Sequence, residues 1–232
     1  MAKMRAGRED RRVTYTRNAI KDALLELMKD KSFEKLSISK VCEAAQITRT
    51  TFYSHYDTLN QVLDELIDEA FEMAENSSTT LSMSLPQRLH YLLQFDTAET
   101  LREHNSDLPA CQRIADMPKY RILFQDRTLS EYIKNKLFRM MKPIVIPELM
   151  EYCCISQTEA ELFFRYMLSG SYEVNSSLNW IKNDEWFVSR LAILRMETAG
   201  IETIRAANIK KKGTYKSRTL PMLQCCAFLC LC

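Results

Sequence analysis

Glycine and proline are scarce in this chain, four and six residues in 232. Such a chain cannot supply the Gly- and Pro-rich turns that a many-stranded sheet needs. No segment alternates between apolar and polar with period two over a useful length, so the sequence predicts helices throughout and an all-α fold. Other absences narrow function. There is no glycine loop to cradle phosphate, no nucleophile elbow and no His/Glu set at metal spacing. The only histidines are His55, His90 and His104. We therefore expect no enzyme activity, no cofactor and no metal. The acidic pairs Asp64-Glu65 and Asp68-Glu69 read as the solvated face of a helix. No apolar run is long enough to span a bilayer. The eight cysteines lack the spacing of a zinc site, and no secretory signal precedes the first helix. Free thiols in a cytoplasmic protein are expected, with no membrane partner.

What is present is core material and an uneven charge. Hydrophobic residues make up 46% and charged residues 27%, a balance that supports a globular chain of one large or two small domains. The net charge of +2 conceals three regions. Residues 1–56 carry 12 Lys/Arg against 7 Asp/Glu, residues 57–208 carry 15 against 23, and residues 209–232 carry 5 against none. A basic head on an acidic body suits contact with a polyanion at one end, because phosphate attraction is local and salt-screened.

The segment from Ser37 to Tyr56, SISKVCEAAQITRTTFYSHY, reads as two short helices joined by a tight turn. Ile38, Val41, Cys42 and Ala45 fall at i, i+3, i+4 and i+7 and make one apolar face, with Ser37 as N-cap. Thr48 is a second N-cap, opening a helix from Arg49 to about His55. In that helix Phe52 is the single anchor. Arg49, Thr50, Thr51, Tyr53, Ser54 and His55 are mostly hydrogen-bonding groups. A helix of this kind fits a DNA major groove better than a protein core. Before it, Thr16–Asp30 carries a helical stripe through Ile20, Ala23, Leu24, Leu27 and Met28. After it, Thr58 with Gln61 forms a capping box, and an apolar stripe runs from Leu59 to Ala74 over more than four turns.

With those flanks in place, residues 14–71 resemble the N-terminal DNA-binding domain of the TetR/AcrR family of bacterial transcription regulators. The matching residues are Phe33, Leu36-Ser37, the Val41–Ala45 helix, Ile47-Thr48 and the run Thr51-Phe52-Tyr53-Ser54-His55-Tyr56. Two positions depart from the family pattern. Gln46 stands where the turn usually has Gly, and Leu59 stands where a phosphate-contacting Lys is frequent. The resemblance implies a basic arm at 1–13, a helix-turn-helix domain at 14–56, and a helical regulatory and dimerisation domain at 57–208. A basic, Cys-rich tail at 209–232 is expected to be disordered. It also implies a homodimer on a palindromic operator in double-stranded DNA, more often a repressor than an activator, released by a small-molecule or protein effector. The alternative is an activator, or an interaction protein that binds DNA weakly.

Under that resemblance Arg49, Thr50, Thr51 and Ser54 face base edges. Ser39, Lys40, Thr48, Tyr53, His55 and Thr58 hold phosphates, with Ser37 beside them. Beyond residue 86, helices are expected at 87–104, 127–141, 148–153, 157–181 and 184–206, broken at Pro109, Pro118, Pro143 and Pro147. Tyr91, Phe95, Phe124, Phe138, Met141, Phe163, Tyr166, Met167 and Tyr172 are candidates to line an apolar pocket, with plain core as the competing reading. Two faces, Leu162–Ile181 and Phe187–Ile201, are expected to pair with their copies in a second subunit.

Overall fold

The computed structural model of the protein describes residues 2–76 and 83–218; side-chain detail covers 11–76 and 83–210, except at 85, 86, 89, 111 and 115. Eleven α-helices occur among these residues, linked by short 3₁₀ turns and with no strand. They are α1 (Ala2–Met28), α2 (Ile38–Ala44), α3 (Arg49–Tyr53), α4 (Leu59–Asn76), α5 (Leu85–Leu92) and α6 (Ala98–Glu103). They continue with α7 (Ala110–Arg113), α8 (Pro118–Gln125), α9 (Ser130–Cys153), α10 (Gln157–Ser177) and α11 (Asp184–Arg218).

α4 is the spine. Its stripe is buried as the periodicity requires: Val62, Leu63, Leu66, Ile67, Ala70, Phe71 and Ala74. One side packs on α1, through Ile20 and Leu24, and on Phe52 of α3; the other meets Ile114, Leu123 and Ile133 of the body. A single apolar cluster thus runs from the head into the body. A smaller cluster of Leu92, Phe95, Leu101, Leu108, Trp186, Phe187, Leu191 and Leu194 closes α5 and α6 against α11.

Several boundaries differ from the sequence reading. α1 starts at Ala2, so the stretch expected as an arm continues the first helix. The helix expected at 87–104 is two, α5 and α6. Pro143 and Pro147 do not end a helix; both lie inside α9. They stand four residues apart on its exposed side, while Leu137, Phe138, Ile146 and Leu149 bury the other. Carbonyls freed by the missing N–H groups therefore face water, and packing holds the helix together. Pro118 sits in the first turn of α8, where its lost N–H has no intrahelical partner anyway. The Thr58–Gln61 box is displaced by one residue: Thr58 Oγ1 accepts from the Gln61 N–H at 3.3 Å, but Gln61 Oε1 accepts from Asp57 N at 2.6 Å. The Cys-rich end of the tail, 219–232, lies outside the described residues.

The largest correction concerns the acidic residues of α4. Glu65 and Glu69 are not a solvated face. Glu65 accepts from Arg17, from Lys21 at 2.9 Å and from the Tyr56 hydroxyl at 2.7 Å. Glu69 accepts from Lys21 and from Tyr120 of α8 at 3.2 Å. Lys21 is only 4% exposed. Asp64 and Asp68 hold Lys136 of α9 at 3.2 and 2.8 Å. Lysines as buried as Lys21 and Lys136 keep their charge because each has carboxylate partners.

Burial alone would raise the Glu65 pKa, but hydrogen bonds from Arg17, Tyr56 and Lys21 outweigh it and bring the carboxyl to about 2. A carboxylate depressed in the folded state adds stability above its unfolded pKa and loses it as pH falls toward the folded value. Allowing for the 23% exposure of this side chain, the contribution is on the order of 2 kcal/mol at neutral pH. Glu65→Gln is expected to be less stable than the parent by about that amount at pH 7, with the gap closing between pH 4.5 and 2. Urea unfolding of both proteins across that range checks it, and a gap independent of pH contradicts it.

Candidate nucleic-acid interface

The interface is built on the turn between α2 and α3. α2 ends at Ala44 with Ala45 as its C-cap, and the next residue, Gln46, takes a left-handed conformation with φ 54°. The Gln46 N–H donates to Glu43 O at 3.1 Å and the Ile47 N–H to Cys42 O at 3.0 Å. This pair of bonds is a Schellman close, and Ile47 packs back on the core. The family's Gly would enter that conformation without a Cβ penalty; Gln46 makes the same turn at a cost.

Thr48 caps α3 as expected, its Oγ1 accepting from the Thr51 N–H at 3.1 Å. Ser37 stands at the N-cap of α2 but makes no side-chain cap bond. Its exposed hydroxyl is open to solvent, contrary to the expected capping role. α3 is one and a half turns, shorter than expected, and ends at Tyr53. Phe52 is fully buried under it, against Tyr56 at 6.0 Å between ring centroids. Tyr56 is buried in turn, and its hydroxyl is committed to Glu65. The outer side of α3 is therefore fixed from beneath by two aromatic rings.

That outer side collects most of the expected DNA-contacting residues. Lys40, Thr48, Arg49, Thr50, Tyr53, Ser54 and Thr58 are exposed, while Ser39, Thr51 and His55 are half-buried. Tyr53 is 55% exposed despite its ring. Arg49 reaches back to α2 and donates to Ser39 Oγ. The hydroxyls of Thr48 and Thr51 bond each other at 2.8 Å, and Ser54 Oγ donates to Thr51 O at 2.7 Å. These side chains are thus held in place before any partner arrives. Arg49, Thr50, Tyr53 and Ser54 together offer a guanidinium, a phenol and two hydroxyls from one short helix, the set that reads base edges and grips phosphate. Leu59, at the position of the family's Lys, packs half-buried on the core and offers no charge. Cys42 is on the buried face of α2, where burial pushes its thiol pKa up despite the nearby Arg49 charge, so it behaves as a small apolar residue.

The candidate pocket residues do not all meet at one site, although Phe163, Tyr166 and Met167 share a groove. Tyr91 and Phe95 pack together in the smaller cluster at 5.4 Å. Phe124 and Tyr172 sandwich Trp180, each 5.0 Å from it. Phe138 stacks on Phe164 at 5.3 Å. Phe163 and Tyr166 line a groove on the outer side of α10 together with Met167, and Met141 borders two further cavities, one of them shared with Met167. Most of the nine are core, the competing reading of the sequence. Among the described residues no group of His, Cys, Asp or Glu is placed to hold a metal, and no helix is long and apolar enough to cross a membrane.

Residues 20–66, from α1 into α4, match the family described as bacterial regulatory proteins, tetR family. No curated protein matches the chain significantly. Among solved structures, the chain is similar to a TetR transcriptional regulator from Streptococcus agalactiae 2603V. The two are 19% identical over 83% of this chain and 98% of that one, with a TM-score of 0.49. It is also similar to the TetR family repressor AlkX from Dietzia sp. strain DQ12-45-1b, implicated in biodegradation of n-alkanes. There the identity is 15% over 81% of this chain and 97% of that one, with a TM-score of 0.42.

Gln46→Gly is expected to raise stability by roughly 0.5–1 kcal/mol, since the released left-handed strain exceeds the added chain entropy of Gly. Denaturant unfolding measures it; a destabilised variant would mean the Gln46 side chain carries a compensating contact.

Proposed function

We propose that this chain, a TetR-family regulator, acts in the cytoplasm as a dimeric repressor that reads a palindromic site on double-stranded DNA and is released by an effector bound in its body. The observation that carries the reading is α3. A five-residue helix anchored by fully buried Phe52 turns Arg49, Thr50, Tyr53 and Ser54 outward. Each copy places α3 in a major groove, with Arg49 as the base reader and Lys40, Thr48, Tyr53 and Thr58 on phosphates. Arg49 must leave Ser39 to do so, exchanging one hydrogen bond for another. No catalytic step belongs to this reading.

One five-residue helix buries too little to give specificity by itself, so two copies are required. Support for the second copy comes from the outer side of α10 and α11. Leu162, Tyr166, Val188 and Met196 are 57–68% exposed. An open groove of about 530 Å³ runs from Leu162, Tyr166 and Met196 past Phe163, Gly200 and Ile204. Nothing lies within 4 Å of where a Cβ would stand on Gly170 or Gly200, which lets a partner helix approach closely. This face differs from the one expected on α11. Phe187, Leu191, Leu194 and Ile201 point into the protein's own core, and Val188 and Met196 replace them on the outside.

Release follows if the effector favours one spacing of the two heads. α4 is the transmitting element in this account, since it is bonded to α1 and Tyr56 at the head and to α8 and α9 in the body.

Arg49→Ala with Tyr53→Ala is expected to weaken binding to a selected genomic fragment by at least about 100-fold while leaving the dimer intact. Tyr166→Glu is expected to give a monomer in light scattering, with specific DNA binding lost alongside. Unchanged DNA binding by the first variant would sink the reading of α3; an intact dimer in the second would move the interface elsewhere.

A further inference from the structure

Beside α4, on the side turned to α9, lies a cavity of about 540 Å³, within the range of roughly 300–1,000 Å³ usual for small-molecule sites. Its apolar wall is formed by Phe71 of α4 with Met140, Met141, Ile144 and Val145 of α9. Its polar lining is mostly acidic. Asp68, Glu72 and Glu75 fall at i, i+4 and i+7 on α4, and Arg88 of α5 is the one cation that lines the cavity among the described residues. Asp68 is bonded to Lys136 at 2.8 Å, a lysine it shares with Asp64 at 3.2 Å. The side chains of Glu72 and Glu75 have no hydrogen-bond or ion-pair partner among the described residues. Arg88 donates through Nη2 to Met83 O at 3.0 Å and pairs with neither of them.

With Asp68 set against Lys136, two free carboxylates stand against one guanidinium, an excess of one negative charge. Glu72 is exposed and Glu75 half-buried, so the charge lies toward the mouth of the cavity and keeps its hydration. Carboxylates on α4 without a cavity behind them would be a solvated face; here a ligand-sized apolar wall adjoins them. An anion is repelled by this arrangement. A neutral chain gains only the burial of its apolar surface. A cation with an apolar body gains both terms, and both favour one orientation, with the charged head outward and the chain inward. The thioethers of Met140 and Met141 are unbranched and polarizable, so they adapt to the shape of such a chain.

We propose that this cavity binds a monocation with an apolar body, of the long-chain amine class, its ammonium held by Glu72 and Glu75 and its chain lying against Phe71, Met140 and Val145. This deepens the reading of the body as effector-responsive and rests on it. The bound chain lies between α4 and α9, the two helices that Lys136 already ties together, so occupancy and the position of α4 are linked.

The test is calorimetric titration of the full-length protein at neutral pH with octylamine, 1-octanol and octanoate, which share one chain and differ in the charge of the head. The amine is expected to bind about tenfold tighter than the alcohol and at least about 100-fold tighter than the acid. Glu72→Gln combined with Glu75→Gln, at positions that carry little of the core, should weaken the amine about tenfold and leave the alcohol unchanged. Ile144→Trp, at a wall position 56% exposed, fills the space for the chain and should weaken amine and alcohol alike. Equal binding of amine and alcohol, acid binding as tight as the amine, or no saturation by the amine below about 1 mM overturns the proposal. So does parental amine binding by the double Gln variant, which would deny the carboxylates, or by Ile144→Trp, which would place the ligand elsewhere. DNA binding without any probe is measured in parallel. If it is intact and no amine binds, only this proposal fails; if the amine binds and DNA is retained, the cation site stands and the release reading fails.

Discussion

The arrangement depends on one carboxylate. Glu65 draws Arg17 and Lys21 from α1 and the Tyr56 hydroxyl from the end of the reading unit onto a single point of α4. Tyr56 is the last residue of the aromatic run that supports α3, and Phe52 packs beside it with its ring tilted. α3 is too short to hold itself, since a helix of five residues forms few internal bonds. Its orientation is set by what lies beneath it. Pairing Tyr56 with Glu65 makes that support continuous with α4, while Arg17 lies over the Tyr56 ring at 4.8 Å and adds a cation–π contact.

The same helix carries the connection onward. Glu69 meets Tyr120, Asp64 and Asp68 meet Lys136, and buried Arg113 donates to the Ala74 carbonyl near the C-terminal end of α4. Phe33 N–H donates to Asp126 Oδ2 at 2.7 Å, a further tie between head and body. A shift of α4 therefore cannot leave either side unaffected. An apolar interface alone would permit sliding; directional bonds at both ends resist it. This gives a physical basis for coupling the body to α3.

How much was legible in the sequence follows from which forces act locally. The head was readable because short-range chemistry specifies it. Thr48 caps and Phe52 anchors as local chemistry indicates, and Gln46, at a position where the family pattern has Gly, takes a positive φ. The stripe of α4 was readable by period. Its polar side was not, because the cations that make Glu65 and Glu69 structural, Arg17 and Lys21, stand more than forty positions away, and no local pattern marks that. Pro143 and Pro147 misled for a related reason. Proline breaks a helix only if the freed carbonyls go unsatisfied, and their exposure is a tertiary fact. The aromatic residues proposed for a pocket were instead used for packing, as Phe138 on Phe164 illustrates. The cavity that brings Glu72 and Glu75 of α4 beside Met140 and Val145 of α9 draws on separate helices, a convergence that spacing cannot reveal.

Selection of bound fragments from sheared genomic DNA by the purified full-length protein is the most direct test of the central claim. At about 150 mM salt, counterion release suppresses non-specific binding. The account predicts one or a few enriched sites with two-fold symmetry and half-sites about 34–36 Å apart or a longer multiple of the DNA turn. Enrichment of nothing above background, or of sites without symmetry, would contradict a dimer that reads DNA through two copies of α3.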